Sequence, residues 1–468
     1  MPSVAIELAQ RLTQVLPADR VSVDARTLDN NSADFYWYSN LLESLLAGCR
    51  ADVVAWPTSI DELAATLAVA HDLDVPVTVR AGGTGNYGQA VPLFGGLVIS
   101  TLKMNRVLEI GNGYARVEAG VKFPEMDAAA LPTGQEARIF PSTYLMATVA
   151  GFVCGGSGGI GSTEFGSLYD GNLLAATVVP INDDPKPIAV TGDDLKLYMH
   201  SYGTTGVVAD VTVPLTPLRQ WEQASFVFPD FIRVHDFAAE LIRRTDLAVR
   251  MISTSEACVV AHFKRSPLPF TQGKDAALLI YGEGERPKIE ELAAKHGGAV
   301  DFVIAQEDAQ RRRLIDYSWN HTTLWAKRSD PGYTYLQTGM SMDRYGEQYA
   351  AVKSEFGDDY QMHSEYTRWG GTPGTGAMPI VPYKGETQLA EVIAFLETID
   401  IGVANPHTWV LEDGGLVDGV AQMLEAKHRN DPKGLLNPGK LRAAFGEDAA
   451  RGRSFATPFT GQPAETAP

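Results

Sequence analysis

Cysteine is scarce in this chain. Cys49, Cys154 and Cys258 are the only three in 468 residues, and no two form a C-x-x-C pair. A disulfide framework and a cysteine zinc site are therefore excluded, and a reducing compartment is expected. Long apolar runs are also missing. None approaches the ~18 residues that a spanning helix needs. No basic stretch leads into an apolar run at the N-terminus, so no signal peptide is expected. Basic residues are in deficit, 39 against 57 acidic, for a net charge of −18. That argues against a broad basic face for nucleic acid or anionic membrane. The expectation is a cytoplasmic protein with no internal repeat.

What the chain does have is glycine, 45 residues in all, many of them between positions 82 and 171. Its length implies two or three domains. Residues 4–16 carry apolar side chains at helical spacing. Ala51 to Pro57 reads as a strand stopped by proline. Ser59 caps a helix that runs to about His71, with Asp61 and Glu62 at its positive end. Val75 to Arg80 is the next strand, making 51–80 a βαβ-like unit. A strand at 96–100 follows, then two strands at 106–110 and 115–120, joined by the hairpin signal Gly111-Asn112-Gly113. Phe123 to Leu131 reads as a helix, 173–179 as a strand, and 209–215 as a strand closed by Thr216-Pro217. Near residue 218 glycine thins out. Beyond it the pattern gives helices at 231–245, 287–296, 388–399 and 417–429, and strands at 257–264, 276–281 and 298–304. This βαβ-like alternation suits a separate sheet-and-helix domain. Aromatic residues crowd 317–369, and the tail after about 450 is Ala/Thr/Pro/Gly-rich and expected to be loosely ordered.

The strand at 76–80 runs into Ala81-Gly82-Gly83-Thr84-Gly85-Asn86-Tyr87-Gly88-Gln89. Bare N–H groups in such a loop form a nest for phosphate or pyrophosphate. A second glycine-rich region covers 151–161. Within it, Gly156-Ser157-Gly158-Gly159-Ile160-Gly161 satisfies G-x-G-x-x-G. The following Ser162-Thr163-Glu164-Phe165-Gly166-Ser167 is not the apolar helix a dinucleotide fingerprint requires, so the Rossmann reading is set aside. Two glycine loops in one domain could instead hold an extended dinucleotide between them.

Four stretches, in this order and at this spacing, resemble the flavin-binding domain of the vanillyl-alcohol oxidase / p-cresol methylhydroxylase (PCMH) superfamily. They are Val54 to Leu63, Arg80 to Gly85, Ala147 to Gly151, and Gly203 to Pro217; Asn430 to Lys440 is similar to the superfamily's C-terminal signature. The resemblance implies an α+β protein with a two-lobed PCMH-type FAD-binding domain and an α/β cap of ferredoxin-like sheet. The expected division is 1–218 for the FAD-binding part, 219–429 for the substrate cap, and 430–468 returning to the FAD-binding part. It implies FAD. By position, Gly82, Gly83, Thr84, Gly85, Asn86, Gly88 and Gln89 would hold the pyrophosphate. Thr143, Thr148, Gly151 and Cys154 would flank the flavin, Val208 would meet the adenine end, and Asn437 and Lys440 would bring the C-terminal segment back to it. Several members attach FAD through a histidine in the first loop. This loop has none, and Cys154 does not match the cysteine of doubly linked members, so non-covalent FAD is expected.

The cap must supply the substrate chemistry. His407, in Asn405-Pro406-His407-Thr408-Trp409, is the leading base, since imidazole accepts a hydroxyl proton at neutral pH. His321, Tyr366 and Arg368 are further catalytic candidates. The aromatic run could line a pocket or simply be core. No closely spaced histidine pair of the kind seen in metal-dependent members is present, so no metal is assigned. The expected activity is FAD-dependent oxidation of a CH–OH group in a small alcohol or phenolic substrate, with electrons passed to O2 or another acceptor. Oxidation of a 2-hydroxy acid, or a non-catalytic flavin-binding subunit, is the alternative, and self-assembly stays open.

Overall fold

The computed structural model describes residues 2–305, 308, 313–416 and 419–445. It is a mixed α and β structure. The first lobe is built on a four-stranded sheet in the order Val21–Ser22, Val53–Ala55, Leu97–Ser100, Val77–Arg80. Both Val53–Ala55 and Val77–Arg80 run parallel to Leu97–Ser100. The crossover between them is the helix Ile60–Asp72, where the Ser59 side chain accepts from the Glu62 N–H. Leu63, Leu67 and Ala70 of that helix, one face at 3–4 spacing, pack on Val53, Val77 and Leu97. Leu435 and Leu436 join the same core. Val77 forms a parallel bridge with Leu436.

The second sheet is antiparallel. It runs Val107–Gly111, Tyr114–Glu118, Val207–Pro217, Ala175–Val179, Ile188–Thr191, with Gln135–Ala137 also paired to Val207–Pro217. The hairpin expected at Gly111-Asn112-Gly113 joins the first two strands, with Gly113 at φ +86°.

The cap is one eight-stranded sheet: Ala299–Ile304, Trp221–Phe228, Asp275–Gly282, Val249–Ser255, His363–Trp369, Thr372–Ala377, Gln337–Met340, Gly402–Ala404. Every neighbouring pair is antiparallel. The βαβ-like alternation is present in split form: Trp221–Phe228 and Val249–Ser255 run parallel to each other on either side of Asp275–Gly282, and Asp275–Gly282 and Ala299–Ile304 on either side of Trp221–Phe228. Alternation explains how one sheet serves two cores. Along Asp275–Gly282, Ala276, Leu278 and Ile280 face the core shared with the second sheet. Ala277, Leu279 and Tyr281 face the cap's own helices Phe231–Leu241 and Arg286–Lys295.

Two corrections are local. The strand expected at 257–264 is a helical turn, Ala257–Val260, continued as a 3-10 helix, Ala261–Arg265. Its Ala257 N–H is tied to Asp275 and its Val259 and Val260 N–H groups to the Glu256 carbonyl, so the β-branched run was overridden by a capped turn. One turn of helix, Ser162–Phe165, does follow Gly161, but it is far shorter than a dinucleotide fingerprint needs. Residues 417 and 418 of the expected 417–429 helix, and the tail after 450, lie outside the described residues; the helix is described from Val420 to Asn430. No described helix is long and apolar enough to cross a membrane.

Candidate FAD and substrate site

Val77–Arg80 delivers the first glycine loop to the junction of the two sheets and the cap. The loop needs glycine for steric reasons. A Cβ on Gly82 would lie 2.6 Å from the Met146 carbonyl oxygen. Gly83 has φ +61°, and a Cβ there would lie 2.2 Å from the Arg80 guanidinium. The loop is anchored on both sides. Asn86 Nδ2 donates to the Tyr335 hydroxyl of the cap at 2.7 Å, and Gln89 Nε2 donates to the Gly155 carbonyl of the second glycine region at 2.6 Å.

Between these walls lies a cavity of about 570 Å3, within the range of cofactor and ligand sites. Of the residues expected to hold the cofactor, Gly82, Gly83, Thr84, Gly85, Asn86, Gln89, Thr143, Thr148, Gly151, Cys154 and Val208 line it. Thr148 caps the helix Val149–Gly155 by accepting from the Gly151 N–H. Thr143 Oγ1 donates to Thr84 Oγ1 at 3.4 Å, bringing the two glycine regions together. The Cys154 thiol is pushed up to about 12 by burial.

Gly88, Asn437 and Lys440 stand behind the loop instead of on the cavity wall. Asn437, at φ +41°, donates its N–H to the Val77 carbonyl at 2.6 Å and its Nδ2 to the carbonyls of Gln89 (2.9 Å) and Tyr202 (2.6 Å). Lys440 is fully buried, and its ammonium donates to the carbonyls of Gly88, Gln89 and Val91. Burial pushes Lys440 down, and the nearby Asp34 carboxylate opposes this. Burial pushes Asp34 up. A lysine committed to three carbonyls is a floor under the loop.

The catalytic candidates separate in the same way. His407 is buried with both ring nitrogens engaged. Its Nε2–H donates to the Tyr335 carbonyl at 2.8 Å, so its Nδ1 must accept from the Ser39 hydroxyl at 2.7 Å. Burial pushes its pKa down to about 4. It is absent from the cavity lining, and so are Tyr366 and Arg368. Tyr366 shares its hydroxyl with His235 Nδ1 at 2.7 Å inside the cap core. Arg368 donates to the carbonyls of Thr163, Gly371 and Ile242. His321 is the candidate that does line the cavity. A carbonyl only accepts, so the 3.0 Å contact to Ile315 O fixes the proton on Nδ1. Among the described residues Nε2 has no protein partner, and burial pushes the pKa down, so the ring presents a neutral lone pair.

Several lining residues had no sequence signal: Asp34, His200, Tyr202, Gln337 and Thr338 all contribute. Trp319, also on the lining, comes from the aromatic run at 317–369. His200, Tyr202 and Trp319 have φ of +47°, +52° and +50°, conformations that side chains other than glycine adopt at a cost and that collect at functional sites. His200 uses both nitrogens, one on the Gly156 carbonyl and one on the Tyr202 hydroxyl, each at 3.2 Å. Among the described residues no group of three or more His, Cys, Asp and Glu could hold a metal ion.

Two glycine-bearing walls and a roomy cavity closed by a separate sheet fit an extended dinucleotide. Residues 51–184 match the family described as FAD binding domain, and FAD is the cofactor. The structure of p-cresol methylhydroxylase with substrate bound overlays with a TM-score of 0.67 at 14% identity, covering 94% of this chain and 97% of that one; this likeness is one of fold. A D-lactate dehydrogenase of Archaeoglobus fulgidus is 26% identical over 275 residues, 56% of this chain. The match spans 61% of that relative's length. The glycolate oxidase subunit GlcD of Bacillus subtilis is 26% identical over 436 residues, 86% of this chain and 90% of its own.

Proposed function

We propose that the protein is an FAD-dependent oxidoreductase that oxidises a CH–OH group in a small, uncharged alcohol or phenolic substrate, with His321 as the base. The observation that carries this is His321 itself, on the cavity wall with its tautomer set by Ile315 and its Nε2 free. That nitrogen takes the hydroxyl proton, and the carbonyl of Ile315 steadies the imidazolium as it forms. FAD, when bound, would supply the acceptor for the hydride, which carries both electrons. Gly82 to Gln89 would hold its pyrophosphate by main-chain N–H groups, with Thr143, Thr148 and Gly151 along the second wall. O2 or another acceptor then restores the oxidised cofactor.

Charge supports an uncharged substrate. Among the described lining residues there is no lysine or arginine, and Asp34 is the one carboxylate. A 2-hydroxy acid would bring a carboxylate with no cation to meet it. The names of the two curated relatives favour that acid as a second reading. We further take residues 1–218 with 430 onward as the FAD-holding part, 219–429 as the cap, and the cytoplasm as the location. The FAD is non-covalent: the first loop lacks histidine, His200 has both nitrogens engaged, and Cys154 is held as a thiol. Acid precipitation should leave a colourless pellet and a yellow supernatant.

The deciding experiment is anaerobic mixing of the FAD-loaded protein with neutral alcohols, phenols and 2-hydroxy acids, following loss of the visible flavin band. Bleaching by an uncharged alcohol or phenol, lost in His321→Ala, is expected. Bleaching by 2-hydroxy acids alone would select the second reading.

A further inference from the structure

Trp319 meets the second glycine region from the cap side. Its Cη2 lies 3.6 Å from where a Cβ on Gly158 would stand, and both residues line the cavity. The indole reaches that place only because its own backbone is left-handed, at φ +50°. A bulky residue does not hold that conformation unaided.

What holds it is a carboxylate. Glu365 lies on His363–Trp369, an interior strand of the cap sheet paired on both sides, and is 2% exposed. Its Oε1 accepts the Trp319 N–H at 2.6 Å and the Ser253 hydroxyl at 2.8 Å. His363 Nε2 stands 3.1 Å from the same oxygen but is not aligned for a hydrogen bond. A buried acid that receives a main-chain N–H from a strained residue fixes that residue's direction, because losing the bond would strand both groups. The two residues after Trp319 then follow in register. Asn320 stands at the N-cap position of the helix His321–Ser329 with no side-chain capping bond, its Oδ1 buried without a partner, and His321 presents Nε2.

We propose that Glu365 is a positioning residue for the substrate wall: by holding the Trp319 N–H it sets where the indole stands opposite Gly158, and thereby the width of ring that the cavity admits. The width effect rests on the reading of the cap end of the cavity as the substrate end. The positioning of Trp319 does not.

The test uses FAD-loaded protein labelled with 5-fluorotryptophan. The chain has seven tryptophans, so the Trp319 resonance is assigned by its loss in Trp319→Phe. Glu365→Met removes the acceptor oxygen with little change in volume, and Glu365→Ala is the second variant should the first not fold. Glu365→Gln keeps an acceptor and serves as the rescue. The Trp319 fluorine signal should move in Glu365→Met and return to its wild-type place in Glu365→Gln. In parallel, phenol and 2-naphthol are titrated against the visible flavin spectrum. The ratio of their dissociation constants should shift by about five-fold or more in Glu365→Met and Trp319→Ala, and stay at the wild-type value in Glu365→Gln. An unmoved fluorine signal, or a Gln variant that behaves like Met, overturns the positioning role. A moved signal with an unchanged binding ratio overturns the width role. Failure of every alcohol to bleach the flavin would remove the function proposed above while leaving both of these results readable.

Discussion

The ammonium of Lys440 donates to the carbonyl oxygen of Gly88, 352 residues earlier in the chain. With Gln89 and Val91 as its other acceptors, it closes the underside of the loop that faces the cofactor. Lys440→Met should take one donor from each of three buried carbonyls; Gly88 keeps the Val91 N–H and Gln89 keeps Asn437 Nδ2, so the main cost falls on the Val91 carbonyl, at about 1–3 kcal/mol. The expected result is FAD binding weakened at least about ten-fold, measured by the recovery of FAD fluorescence on dilution. Wild-type affinity in this variant would show that the loop keeps its shape without its floor.

His407 and His321 make opposite predictions. His407→Ala removes a buried ring bonded at both ends, so stability should fall by about 2 kcal/mol or more, while the rate of flavin reduction by a good substrate changes little. His321→Ala should slow that rate by roughly two orders of magnitude with FAD content unchanged. Stopped-flow reduction and urea unfolding of the two variants separate them, and a slow His407→Ala with a fast His321→Ala would reverse the assignment.

Acid should destabilise the protein. Burial lowers His200, His235 and His407 to about 4, whereas in the unfolded chain each titrates near 6.5. Between those values the unfolded chain binds protons that the native state refuses, so stability falls as pH drops from about 6.5 to about 4, by up to about 3 kcal/mol per histidine. Asp34, Asp127 and Asp275, raised by burial, act in the other direction above their ordinary range, but His262 and His321, also lowered by burial, add to the three. Urea midpoints at pH 7, 6 and 5 should decrease in that order; a flat series would contradict the burial of these rings as neutral groups.

Gly82→Ala probes the loop from the other side. Its Cβ would meet the Met146 carbonyl oxygen, which is backbone and cannot swing away. The added methyl must displace one glycine region from the other, at about 1–3 kcal/mol. The purified variant should carry little FAD, as read from its visible absorbance relative to wild type, with far-UV circular dichroism intact.

Much of the first lobe was legible because its signals are local. The Ser59 cap, the apolar face of Ile60–Asp72, the strand Val77–Arg80 and the hairpin at Gly111-Asn112-Gly113 all stand where the sequence places them. The cap was harder. Asp275–Gly282 is buried on both faces, so it lacks the alternation that marks an antiparallel strand, and Val249–Ser255, with arginine, serine and threonine among its residues, hid among polar letters. The site was legible on its glycine side and not on its cap side. In sequence His407 leads and His321 is a further candidate, and only the partner of each ring nitrogen reverses that order. Asp34, His200 and Tyr202 reach the cavity through tertiary packing that no local pattern announces, the last two on left-handed backbone.

The bridge between Val77 and Leu436, with Asn437 and Lys440 just beyond it, also orders events in time. During synthesis the glycine loop emerges early, but its floor comes only after the whole cap has left the ribosome. The N-terminal lobe therefore waits, open along the edge of Val77–Arg80, while the cap sheet forms. Capture of FAD becomes a late step, and a chain stopped just short of residue 430 would hold both walls of the site without the segment that locks the first one in place.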